Sequence, residues 1–213
     1  MTLSSYFAWW KRNWAQSGLL LALYLTIVSV VFVLPSDLPV FLLLMMTPLY
    51  MLHEAEEYLF PGGFVRFFNR DVLGVDADDE PIDEDFSFLV NIGLIWILLP
   101  AFALLASWRL ELGLWIPYFT LFAGIAHVPL AIKARKLYNP GLVASLVLNV
   151  PAGAGIVAYF ARTGHLENPW FNVHLLIGLA LNLMLPVLGV LRYRSYRNAA
   201  RASAPDSTGK RAS

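Results

Sequence analysis

Six apolar stretches of membrane-crossing length constrain this chain more than any other feature. A bilayer core of about 30 Å is crossed by about 20 helical residues at 1.5 Å rise each. Stretches of that order run over Gly18–Leu34, Leu38–Phe60, Phe86–Ser107, Gly113–Ile132, Gly141–Ala161 and Phe171–Leu191. Composition agrees: 58% of residues are hydrophobic and 14% charged, where soluble domains have about 45–50% and about 25%. The expected fold is all-α, a polytopic membrane helical bundle of about six transmembrane helices over residues 18–191. Residues 1–17, with Trp9, Trp10 and Trp14 around Lys11 and Arg12, read as an interfacial segment and not as a cleaved leader.

Lys and Arg orient such a bundle, because basic connections stay on the cytoplasmic side. Thirteen of the fifteen fall in the N-terminal segment, the 2–3 loop, the 4–5 loop and the C-terminal tail, and only Arg109 and Arg162 fall opposite. That split predicts both termini in the cytoplasm and a multi-pass protein of the cell inner membrane. The 2–3 loop, residues 61–85, also holds eight acidic residues. Its Asp76-x-Asp78-x-Glu80 run departs from a calcium loop at Pro81 and Ser87, where a sharp-turn Gly and a bidentate Glu belong, so a solvated acidic loop is expected. The basic tail, residues 192–213, is expected to be disordered and drawn to anionic lipid. A formal net charge of zero gives no sign of a nucleic-acid partner, membrane lipid is the expected partner, and no protein partner can be read.

Ionisable residues inside a span cost about 2.5–3.5 kcal/mol each at its centre, and only the second stretch carries acidic ones. His53, Glu56 and Glu57 stand at i, i+3 and i+4, one helix face, whereas Glu54 points away. His53 lies seven residues before the inner end of its stretch, roughly 10 Å deep. Asn91, His127 and Asn149 fall at a similar depth, which predicts one polar layer near the cytoplasmic surface. Pro129 and Pro151 each follow one of these polar residues by two and are expected to bend their helices there. His165 and His174 lie towards the other side and are not expected to reach that layer.

His53-Glu54-Ala55-Glu56-Glu57, followed by Phe60-Pro61-Gly62-Gly63-Phe64, resembles the signature of the HXXEE-domain family of multi-spanning bacterial membrane proteins. Tyr138-Asn139-Pro140-Gly141-Leu142 is similar to a second segment of that family. The resemblance implies an integral membrane protein with His53, Glu56 and Glu57 as signature residues, and it brings no assigned reaction.

The residues themselves suggest a metal site. His53, Glu56, Glu57 and His127 make a two-His, two-carboxylate donor set suited to a divalent zinc, iron or manganese ion. One visible His/Glu unit points to a single metal. The absence of cysteine excludes Fe–S clusters and thiolate sites, and no haem or nucleotide signature is present. The expected chemistry is metal-dependent hydrolysis of a lipid ester or amide from the cytoplasmic leaflet. In it one of Glu56 and Glu57 would be a ligand and the other a general base, with Asn91, Asn149, Tyr58 or Tyr138 in support. Two other classes fit the same residues: a proton-coupled small-molecule carrier, and a structural or scaffold protein whose cluster is an interhelical contact.

Overall fold

The computed structural model describes residues 2–203, and among these there is no β-strand. Six helices are long and apolar enough to cross a membrane: α1 Leu3–Val33, α2 Leu38–Tyr58, α3 Glu84–Leu105, α4 Leu110–Ala134, α5 Leu142–Arg162 and α6 Val173–Ala202. Side chains of the flanking residues start several of them. Thr2 accepts the N–H of Ser5 and Asp37 that of Val40, while Asp83 accepts from Phe86 and Asn172 from Leu175, which satisfies amides that have no partner inside the helix.

The bundle carries apolar side chains on its outside and encloses polar residues within a largely apolar core. Leu20 and Phe32 are more than 70% exposed on its outside, whereas His53 and Glu54 are 1% exposed and Asn149 is fully enclosed. An apolar exterior with the ionisable groups kept inside suits a surround of lipid. Burial is concentrated in α2 and α4, where 61% and 56% of the apolar window is enclosed, against 11% in α6. These two inner helices carry His53 and His127. α1 and α3 pack around α2, α5 and α6 pack around α4, and the two groups of three meet where α2 touches α4 and α5.

Proline shapes three of the helices. π-helical turns occupy Ser29–Val33, Asn91–Leu98 and Ser145–Asn149, and Pro35, Pro100 and Pro151 each follow two residues later. A proline has no N–H to give and its ring clashes with the carbonyl four residues earlier, so the helix widens just before it. The third of these wide turns holds Ser145 and Asn149, both fully buried.

Helix extends into both ends of the chain. α1 starts at Leu3, bent at Asn13 (φ −123°, ψ 18°), and takes in the N-terminal segment. The last helix runs to Ser203, through the first part of the tail read as disordered; residues 204–213 of that tail lie outside the described residues. The 2–3 loop also has structure. It contains a short helix Phe64–Phe67 and a π-helical turn Phe68–Val72, and buried Asn69 ties it together by donating to the carbonyls of Asp78 and Ile82 and accepting from the Ile82 N–H.

Candidate metal centre

His53 and Glu57 sit one turn apart on the inner face of α2, and His127 meets them from α4. The Nε2 atoms of both histidines lie 3.5 Å from the same oxygen, Oε1 of Glu57, and the two imidazoles are 4.8 Å apart at 81°. One donor atom from each residue falls within 4.8 Å of the other two, and all three residues are buried. A separation of 3.5 Å is longer than a hydrogen bond of about 2.7–3.2 Å. It matches the spacing of about 3.3–3.6 Å between ligand atoms set tetrahedrally at 2.0–2.2 Å from one cation. The three residues could therefore hold a divalent ion.

The far side of each ring is held as well. Asn139 donates its Nδ2 to the backbone carbonyl of His127 (2.9 Å) and turns its Oδ1 to Nδ1 of the same residue (2.7 Å). The carbonyl fixes the amide orientation, since the reverse would set two oxygens face to face. An amide oxygen can only accept, so Nδ1 of His127 donates here, and in the neutral imidazole Nε2 is left with a lone pair facing Glu57. Nδ1 of His53 shares a 3.2 Å hydrogen bond with Oγ of Ser145.

Gly141 closes the cluster from the start of α5. A Cβ there would lie 2.6 Å from Cε1 of His127 and 2.8 Å from both Cγ of Glu57 and Cε1 of His53, and its φ is +93°. Only glycine combines that backbone conformation with that approach. Tyr50 sets its ring edge-on to His53 at 5.1 Å and stacks on Phe119, while Phe64 of the loop lies 6.1 Å from His127. The cluster is thus walled by aromatic rings.

Glu56 takes a different place from the one expected of a ligand or catalytic base. Its carboxylate accepts the N–H groups of Val143 (3.1 Å) and Ala144 (2.5 Å) and the hydroxyl of Tyr138 (3.0 Å). Gly141, at the cap position of α5, has no side chain to offer, and Glu56 supplies the missing cap from another helix. Burial first, and then the hydrogen bond and negative charge of Glu56, push the Tyr138 phenol up to about 12.

The remaining candidates separate from the cluster. Asn91 spends its amide on the Tyr58 hydroxyl and the Ser87 carbonyl, so it links α2 and α3 and has no hydrogen bond to His53, Glu57 or His127. Glu54 faces α3, where it accepts from Nε1 of Trp96 at 3.0 Å; its other oxygen is buried without a hydrogen bond, as are both polar atoms of the Asn149 amide. His165 packs against Phe160. Asn139 and Ser145 are the two positioning residues that sequence reasoning missed. Asn139 had a signal, since it lies inside the Tyr138-to-Leu142 segment; Ser145, in an apolar run, had none.

A family model described as a protein of unknown function with HXXEE motif matches residues 44–156. That span reaches from α2 to α5 and contains all three candidate ligands together with Glu56, Asn139, Gly141 and Ser145. No curated protein and no solved structure matches the chain.

Proposed function

The chain belongs to the HXXEE family, and for this member we propose a membrane-embedded metalloenzyme in which His53, His127 and Glu57 hold one divalent cation and act on a lipid-borne ester or amide. The observation that carries the reading is the convergence of two Nε2 atoms on one carboxylate oxygen at 3.5 Å, with both rings held from behind. Two histidines and one glutamate are a donor set of catalytic zinc sites, which leave a position for water or substrate. A cation there would supply Lewis acidity, polarising a carbonyl and acidifying water towards a pKa of about 7.

The protein's own part is orientation. Asn139 and Ser145 keep both imidazoles aimed inwards, Glu56 and Gly141 hold α5 against them, and the aromatic walls limit water. With Glu56 committed to the helix cap, the proton acceptor in this reading is Oε2 of Glu57, which has no hydrogen-bond partner among the described residues. The distribution of Lys and Arg supports placing this end of the bundle on the cytoplasmic side of the inner membrane. A site near one end of the helices favours an enzyme reached from one leaflet over a carrier, which needs a site open to both sides in turn.

Metal analysis of the detergent-purified full chain, prepared without a metal-binding tag, tests the reading. We expect about one divalent ion per chain, lost in His53→Ala, His127→Ala and Glu57→Gln. A wild-type protein that stays metal-free after exposure to zinc, iron and manganese would refute it. Chelator-sensitive release of fatty acid from lipid vesicles tests the hydrolytic part.

A further inference from the structure

A second site lies beyond the metal cluster, at the basic ends of α4 and α6. A cavity of about 450 Å³ is lined by Lys133 of α4, by Arg194, Arg197 and Arg201 of α6, and by apolar Val72 and Val190. Its size falls in the range of small-ligand sites, about 300–1,000 Å³. Val190, Arg194, Arg197 and Arg201 stand at i, i+4, i+7 and i+11, one face of α6. That face passes from apolar to cationic where the helix leaves its apolar stretch.

The acidic loop does not neutralise these cations. Asp71 pairs with Lys136, Asp76 and Asp78 with Arg70, Asp83 with Arg192, and Asp85 with Lys11. Arg192, on the other side of α6, also donates to the Pro81 carbonyl and lies 4.9 Å from the Phe86 ring, which binds the loop to the helix. Among the described residues none of Lys133, Arg194, Arg197 and Arg201 has a carboxylate partner, and no acidic residue lines the cavity. The loop thus uses a separate set of cations, and a cluster of positive charge is left over an apolar floor.

We propose that this groove binds an anionic phospholipid, its phosphate among Lys133, Arg194 and Arg197 and its acyl region along Val72 and Val190. Guanidinium groups match phosphate oxygens through paired hydrogen bonds, and the apolar floor selects an amphiphile over a free anion. The proposal does not depend on the metal reading.

Native mass spectrometry of the full chain in detergent, offered equal amounts of phosphatidylglycerol and phosphatidylcholine, tests it. Wild type should retain the anionic lipid by about tenfold or more. The double variant Arg194→Gln/Arg197→Gln should fall to within about twofold of parity, and these exposed positions can be changed without disturbing the core. Arg109→Gln/Arg162→Gln removes the same charge at two exposed positions that do not line the cavity and should keep the preference. No preference in wild type, an unchanged preference in the groove variant with helicity retained, or an equal loss in the control would overturn the proposal. Displacement of the lipid by millimolar inorganic phosphate would also overturn it, by making free phosphate the ligand.

Discussion

Glu56 and Glu57 are neighbours in the chain with separate structural duties: Glu57 points Oε1 at His53 and His127, while Glu56 reaches across to cap α5 at Val143 and Ala144. Their substitutions should therefore part company. Glu57→Gln should abolish metal retention. Glu56→Gln should keep the metal and lower stability by about 1–2 kcal/mol, the worth of a helix cap with a charged acceptor. Metal analysis alongside thermal unfolding separates the two, and equal metal loss in both variants would return Glu56 to the ligand set.

Asn139 fixes the tautomer of His127, so Asn139→Ala should weaken zinc binding about 10–100-fold, the usual effect of losing such a partner. Competition with a chromophoric chelator measures this. Unchanged affinity in a folded variant would mean that Asn139 only braces the loop.

Gly141→Ala should remove metal binding, because the new methyl meets both histidines and Glu57 at 2.6–2.8 Å. Gly63→Ala is the matched comparison: its φ is +88°, yet a Cβ there meets nothing within 4 Å. Both variants bear the backbone strain of a positive φ, about 1–2 kcal/mol, and only Gly141→Ala should also lose zinc in the same chelator titration.

Tyr138 carries a pH dependence of known sign. Its phenol is raised to about 12 from an ordinary 10.0, so the neutral hydroxyl is the form that the fold favours. The stability it contributes is complete below pH 10 and disappears as pH rises from about 10 to about 12. The absorbance titration of wild type minus Tyr138→Phe at 295 nm should show one group near 12. Glu56→Gln should bring that group down, because the carboxylate is among the causes of the shift.

Much of the fold is legible in the chain because its cause is local. Twenty apolar residues cross a bilayer whatever surrounds them, and the ends of the spans at the connecting loops follow from Pro, Gly and charge. The two ends at the chain termini are harder to read. Between Leu3 and Ser17, and again from Arg192 to Ser203, there is no Gly or Pro, so the helix continues through polar sequence that composition alone reads as a flank or a tail. Periodicity likewise put His53 and Glu57 on one face of α2, and depth counting brought His127 to their level.

The division of labour inside the HXXEE motif could not be read that way. Glu56 and Glu57 differ by 100° of helical rotation, and which of them faces a ligand depends on the helix packed opposite. Apolar length and polar spacing along the chain suffice for the spans, the level of the cluster and the kinds of donor atom available. Packing between helices brings His127 of α4 to Glu57, sets Glu56 on the start of α5, and stands Asn139 and Ser145 behind the rings. A helix dictates angle and rise for its own side chains, while the partners of His53, Glu56 and Glu57 come from residues 70 to 92 positions away, brought near only by packing.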